Sequence, residues 1–316
     1  MSLNAEQRRV YDEYGADIVK YQSPSRTLAR QIGVTEWTVR RVKDYIYKYG
    51  PPEPLNDDRP GTVLVIPDSH AKPGVSNERF VWLGRLINER GHEALANNVP
   101  FTVVNIGDMG DMESLSSYDV GKKSFEGRRY WKDIEAVLDA QQSLFDQIDP
   151  EVHAWVRWVY TEGNHEHRIS RATNDNPALD GLISLDDLRL EEFGWEVYPF
   201  KVPAEIHGIA FCHYFPSGVM GRPIGGVNVG RSLVTKCLKS CVQGHSHLWN
   251  HASFTDVMGK RIHGMSVGCY FEHEEEYAGA ANRMWWRGIT VLKDAHDGDY
   301  YVEQIPLSVI KKEYGP

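Results

Sequence analysis

Five short runs of this sequence carry residues able to hold a metal ion. Asp68-Ser69-His70 presents a carboxylate and an imidazole two positions apart. On an extended segment alternate side chains point the same way, so the pair can clasp one cation. Gly107-Asp108 follows an apolar run. Glycine lets the backbone approach closely, and Asp108 can offer one oxygen to each of two cations, holding them about 4 Å apart against their repulsion. Gly163-Asn164-His165-Glu166 offers an amide oxygen beside an imidazole, His213 closes the run 208–212, and Gly244-His245-Ser246-His247 supplies a second pair of facing imidazoles. A lone histidine is more often structural than ligating, and two-residue matches arise by chance. Five such runs in succession, each after an apolar stretch, point to metal chemistry.

These side chains meet only if strand ends bring them together. The β-branched runs 62–67, 101–106, 155–160 and 209–212 read as strands ending in polar residues, which is where open α/β sheets carry their chemistry. Amphipathic stretches 77–90 and 128–147 read as helices, and alternation at 261–267, 288–292 and 300–305 predicts a mostly β final third. The proline-rich polar stretch 50–61 can continue neither helix nor strand. The expected organisation is a small helical module at 1–50, a linker at 51–60 and an α/β domain at 61–316.

Taken together, the runs DSH, GD, GNHE, a strand-end His and GHSH resemble the signature of the calcineurin-like metallophosphoesterase superfamily, which includes protein phosphatases, cyclic-nucleotide phosphodiesterases and repair nucleases. The resemblance spans residues 61–305 and implies a four-layer α/β/β/α sandwich. Position by position it implies Asp68, His70, Asp108 and His247 at a first metal and Asp108, Asn164, His213 and His245 at a second. His165 is then unligated, free to protonate a leaving oxygen or to stabilise a phosphoryl group. Two cations would polarise a phosphate ester and lower the pKa of a shared water toward neutrality, so Asp108 and His165 are the expected catalytic residues. Arg168 is a candidate for pairing with a phosphate oxygen, or else a solvated surface arginine. Mixed carboxylate and imidazole shells suit Mn, Fe or Zn better than Mg or Ca, with two Mn ions the first expectation. Two departures from the family pattern stand out: Tyr214 rather than Gly follows His213, and Asp111 occupies the place of the metal-binding tyrosine of purple acid phosphatases. The other histidines, His92, His153, His167, His251, His263, His273 and His296, match no motif and read as structural or solvated.

Residues 27–46, TLARQIGVTEWTVRRVKDYI, resemble a DNA-binding helix-turn-helix: small Ala29, turn-forming Gly33, and Leu28, Ile32, Val39 and Val42 at the spacing of two packed helices. In a major groove Glu36, Trp37, Thr38 and Arg40 would face bases, with Arg41 and Lys43 nearer phosphates. A helical hairpin used for protein contacts or oligomerisation is the alternative. The fusion is similar to domain combinations encoded by bacteriophages, which would place the protein in the cytoplasm of a bacterial host.

With 316 residues, 41% hydrophobic, 25% charged and a net charge of −9, the chain excludes intrinsic disorder and an all-round basic nucleic-acid binder. The negative charge lies beyond residue 54, and the N-terminal stretch is slightly basic. No apolar run approaches the ~18 residues that span a bilayer, and the start lacks an apolar leader core, so a cytoplasmic protein without a membrane partner is expected. Cys212, Cys237, Cys241 and Cys269 form no CxxC pair and read as reduced core thiols. The run Gly225 to Ser232 only superficially resembles a phosphate-binding P-loop, since no apolar strand leads into it. It belongs instead to a glycine-rich loop, 217–232, that offers Arg222 and Arg231 to an anionic substrate. Lys122, Lys123, Arg128, Arg129 and Lys132 could track a nucleic-acid backbone, or simply start a solvated helix. The expected function is a phosphodiesterase of nuclease type directed to DNA or another nucleic acid. A phosphomonoesterase or protein phosphatase would use the same site, and a DNA-binding or assembly protein with a vestigial hydrolase domain is the non-enzymatic alternative.

Overall fold

In a computed structural model of the protein the described residues are 10, 11, 14, 29, 30, 33–49, 59–117, 121 and 123–316. Most of the expected first helix of the N-terminal module, most of the linker, and Lys122 lie outside them. The chain divides into two compact units, Met1–Asp57 and Asp58–Pro316.

In the first unit, helix α1 spans Glu36–Tyr49. Thr35 caps it by accepting the Thr38 N–H at 3.1 Å, which satisfies one of the donors a helix start leaves open. Gly33 turns the chain into α1 at φ +70, and the Val34 N–H closes the turn on the Ala29 carbonyl at 3.0 Å. Ala29, Val39 and Val42 are buried, whereas Trp37 is 62% exposed. Arg40 is exposed and ion-paired with Glu36 one turn back. One expectation is corrected here. Thr38 is 1% exposed with its hydroxyl 2.9 Å from that of Thr35, so it serves the cap and the interior and does not face a groove.

The second unit is mixed α/β. Its strands are β1 (Gly61–Ile66), β2 (Phe101–Asn105), β3 (Arg157–Thr161), β4 (Glu196–Tyr198), β5 (Ala204–Ile206), β6 (Ile209–Phe211), the short β7 (Pro216–Ser217) and β8 (Arg222–Pro223), β9 (Cys241–Gln243), β10 (Trp249–Thr255), β11 (Arg261–Val267), β12 (Gly288–His296) and β13 (Asp299–Pro306). A six-stranded sheet has the order β13-β12-β1-β2-β3-β4 and a five-stranded sheet the order β10-β11-β9-β6-β5. Strands β1 to β4 pair in parallel, as do β6 with β9 and β9 with β11. The long helices are α2 (Glu78–Ala96) between β1 and β2, and α3 (Tyr130–Phe145) followed by α4 (Pro150–Trp155) between β2 and β3. Helix α5 (His167–Asp175) follows β3, α6 (Val229–Cys237) precedes β9, and α7 (Leu307–Tyr314) closes the chain.

The period of two along β1 explains its uninterrupted apolar run. Leu64 and Ile66 pack with Phe80, Leu83 and Leu86 of α2 and with Ile134 and Val137 of α3. Val63 and Val65 share a second cluster with Ile209, Phe211, Val242 and Met265 of the other sheet. A strand covered on both faces has no polar side to show. On the five-stranded sheet, Val229 and Leu233 of α6 pack with Cys212, Cys241 and Phe215.

Two local expectations are revised. Residues 155 and 156 were expected in a strand, but Pro150 opens α4, which runs through Trp155 before β3 begins at Arg157. A short apolar run does not by itself separate a buried helix end from a strand. The segment 217–232, expected to be a loop, contains the β7–β8 pairing and the start of α6. The strand just ahead of Gly225 is the two-residue, exposed β8, not the apolar strand that a P-loop follows. All four cysteines are free, and among the described residues no helix is long and apolar enough to cross a membrane.

Candidate metal centre

The loops after β1, β2, β3, β6 and β9 deliver the motif residues to one place, each leaving the C-terminal end of a parallel strand. Backbone hydrogen bonds knit these loops together. The Ser69 and His70 N–H groups both donate to the Asp108 carbonyl at 3.0 Å, and the Gly244 N–H donates to the His213 carbonyl at 3.0 Å. Four motif residues, His70, Asp108, His245 and His247, sit at φ between +43 and +66, a conformation that side chains disfavour and that the surrounding bonds must hold. Such strain at ligand-type residues is where function concentrates.

Asp68, His70 and His247 form one buried group whose ligand atoms lie within 4.8 Å of one another, and Asp108, His213 and the half-buried His245 form a second group at the same spacing. Asp108 joins them, since it also groups with His70 and His165. Its Oδ1 accepts the His165 backbone N–H at 2.8 Å, leaving Oδ2 to face His213 Nε2 at 3.2 Å and His165 Nε2 at 3.7 Å. Asp68 accepts the His245 backbone N–H at 2.9 Å and stands 3.2 Å from His247 Nε2. These buried Asp and His residues can hold a metal ion. Distance alone does not separate His165, expected to be unligated, from the other imidazoles.

Two observations test whether a cation suits the residues present. His70 is 1% exposed; its Nε2 has no hydrogen-bond partner among the described residues, and its Nδ1 has Asp111 Oδ1 at 3.5 Å. A buried, unsatisfied nitrogen costs about 1–3 kcal/mol, which a bound cation would remove. His213 donates Nδ1–H to the Ile106 carbonyl at 3.0 Å. Its Nε2 therefore faces Asn164 Oδ1 at 3.0 Å and Asp108 Oδ2 at 3.2 Å, three acceptors converging unless a proton or a metal lies between them. An imidazole oriented by a backbone carbonyl behind it is the usual geometry of a metal ligand. The donor set fits.

The electrostatics agree. Burial opposes charge on His213, but the carboxylates of Asp108, Asp68 and Glu166 together outweigh it and lift the imidazole to about 9. Burial and the charge of His213 push His245 down to about 4, leaving it neutral with a lone pair to give. Burial raises Asp108 too, but His165, His213 and His70 overcome it and hold the carboxyl well below its usual range. In the metal-free protein the proton on His213 thus stands where a cation would. A raised histidine stabilises the fold fully below its unfolded value near 6.5 and ceases to do so as pH climbs through about 9. Chelator-treated protein should therefore lose on the order of 3 kcal/mol of unfolding free energy across that window. A His213→Gln variant should show a much flatter profile. Because metal must displace that proton, Mn affinity should rise by up to about tenfold per pH unit over the same range. Denaturation and metal titrations at several pH values check both.

Several residues to which the sequence motifs gave no role build the site. Glu166 is 1% exposed and accepts the N–H groups of Asp108 at 2.9 Å, Gly163 at 2.8 Å and Gly110 at 3.3 Å, so it clamps the β2 and β3 loops together. Glu166→Gln turns a donor toward one of those N–H groups. The expected result is a loss of about 2 kcal/mol in denaturation and of about 10–100-fold in metal affinity. Arg79, 4% exposed, donates to the carbonyls of Ser69 at 2.8 Å, Ser76 at 2.6 Å and Tyr270 at 3.1 Å, fixing the loop that carries Asp68 and His70. Asp111 places Oδ1 3.0 Å from His165 Nδ1 and 3.5 Å from His70 Nδ1. A further group spaced for a cation, His70, Asp111 and Glu275, has the Lys72 ammonium beside it, 2.7 Å from Glu275 and 3.7 Å from Asp111.

Arg168 is not the solvated surface arginine that was one of its two expected readings, its side chain being only 13% exposed. Its guanidinium donates to the carbonyls of Asp111 at 2.8 Å and Met112 at 3.2 Å, and Nη2 meets His165 Nε2 at 3.1 Å. It thereby braces the imidazole it was expected to work beside. Tyr214, the departure from the family pattern, is buried with its ring centroid 4.9 Å from that of His245 and packs the loop that a glycine would leave open. His247 is flanked in the same way by Trp285, ring centroids 4.4 Å apart. No family model matches the chain, and no curated protein matches it.

Proposed function

We propose that the chain is a dinuclear metal-dependent phosphoesterase of the calcineurin-like type, built as a four-layer α/β/β/α sandwich behind a helix-turn-helix module, and that it hydrolyses phosphodiesters in nucleic acid. The observation that carries this reading is the placement of Asp108, whose Oδ2 faces His213 Nε2 at 3.2 Å while the residue also groups with His70 and His165. Asp68, His70, Asp108 and His247 would hold one ion and Asp108, Asn164, His213 and His245 the other. Two divalent cations held there, with Mn the first expectation, would supply Lewis-acid polarisation of the ester and lower the pKa of a bound water toward neutrality. His165, held through Nδ1 by the Asp111 carbonyl at 2.6 Å, presents Nε2 in front of Asp108, where it can deliver a proton to a leaving oxygen. Arg168 beside it adds a fixed positive charge for an anionic ester.

The test is turnover of a nitrophenyl phosphate monoester, bis(p-nitrophenyl) phosphate and labelled DNA by Mn-loaded protein. Cleavage of the diester and DNA, abolished by chelator, is the expected result. Turnover of the monoester alone would replace the nuclease reading by a phosphatase one. No metal uptake and no turnover would leave a nucleic-acid-binding or assembly role.

A further inference from the structure

We propose that a cavity beside the candidate metal centre is the subsite for the nucleotide adjoining the scissile phosphate of a single-stranded nucleic acid, with Arg171 on that nucleotide's phosphate and Phe125 against its base. The proposal rests on the phosphodiesterase reading above. The cavity, of about 200 Å³, is lined by Ser114, Leu115, Phe125, Arg168 and Arg171 among others. It adjoins the metal centre through Arg168, which lines it and touches His165 at 3.1 Å. Drug-sized ligands fill about 300–1,000 Å³, so this space suits one planar ring system.

Its chemistry is that of a nucleotide. Arg171 lies three residues beyond Arg168 on α5, where side chains one turn apart are neighbours. It is partly buried, and no hydrogen bond or ion pair engages it among the described residues. Asp175 also lines the cavity without pairing to it. A guanidinium left unpaired next to a hydrolytic centre is a ready partner for a second phosphate. Phe125 supplies an aromatic face, and the Arg128 guanidinium lies 5.7 Å from its centroid. Arg128 is itself fixed by the Glu113 carbonyl at 3.1 Å and carboxylate at 3.4 Å. An aromatic ring accompanied by arginine is the usual platform for an unstacked base. A peptide would want a free strand edge, whereas the cavity walls named here come from helical segments at 113–115, 123–125 and 167–175. A base must leave a duplex to enter, which favours single strands.

The experiment compares bis(p-nitrophenyl) phosphate, which reaches only the metals, with the single-stranded trinucleotide trithymidylate, using full-length Mn-loaded wild type, Arg171→Ala and Phe125→Leu. Each variant should lower kcat/KM for trithymidylate at least tenfold while leaving the small diester within twofold. Equal effects on both substrates, or none on either, overturn the subsite. Cleavage of the small diester but not of trithymidylate also overturns it, with the phosphodiesterase reading intact. Should neither substrate be cleaved, that reading fails, and the subsite is judged by titrating trithymidylate into metal-free wild type and Arg171→Ala. At least tenfold weaker binding by the variant supports it, and equal or absent binding overturns it. A phosphopeptide binding as tightly through Arg171 would overturn the nucleic-acid assignment.

Discussion

Replacing Asp108 by asparagine is expected to lower kcat/KM on a phosphodiester by about 10³-fold or more, on the order of 4 kcal/mol of transition-state stabilisation. The loss should come with a fall in bound metal from two ions per chain to at most one. The reason is positional. Oδ1 is occupied by the His165 backbone N–H, and Oδ2 faces His213 and His165. An amide in its place offers one acceptor instead of two and brings a donor into a space already lined by imidazole nitrogens. It also removes the charge that lifts His213, so the stability loss of metal-free protein between pH 6.5 and 9 should shrink in the same variant. Metal analysis, steady-state kinetics and a circular-dichroism check of folding measure these effects separately. Unchanged turnover with a folded protein would mean that this cluster is not the reactive centre.

The second large effect comes from a methyl group. A Cβ added to Gly163 would lie 2.0 Å from Asp108 Oδ1 and 2.4 Å from the Asp108 backbone nitrogen. Neither can yield freely, because the nitrogen donates to Glu166 and Oδ1 accepts from His165. Gly163→Ala should therefore cost about 1–3 kcal/mol as an overpacked site and at least about 10²-fold in activity, since small displacements of reacting groups are that expensive. Gly225→Ala is the control: its added Cβ meets nothing within 4 Å and its φ is not positive, so stability should change by less than about 1 kcal/mol. Thermal melts and diester turnover of the two variants side by side decide the matter. An active, unperturbed Gly163→Ala protein would rule out the proposed role for this close approach. The same reasoning explains Gly244, where an added Cβ would stand 2.2 Å from Asp68 Oδ1. The glycines before Asn164 and His245 are thus required by the closeness of their loops to the carboxylates of Asp108 and Asp68.

The sequence by itself determined where strands end and which chemically competent residues stand at those ends. That information is local: the run Val63–Ile66 is apolar because both faces of β1 are covered, and the polar residues that follow mark its exit from the core. It also carried the turn at Gly33 and the burial of Val39 and Val42, which follow from backbone conformation and helical spacing. What only the tertiary structure decided is how the chosen residues are held. Thr38 lies at a position that helical geometry alone allows to face a groove, but packing buried it. Arg168 was open to solvent by its sequence position, and the loop carbonyl of Asp111 drew it inward. Glu166 and Asp111 stood in or beside the quoted motifs and Arg79 in none, but the role of each stayed hidden because it works largely through partners supplied by distant segments. A buried carboxylate or guanidinium is tolerated only where such partners satisfy it. Spacing along the chain selects the ligands, whereas the hydrogen bonds that fix their orientation exist only once separate strands have been brought side by side.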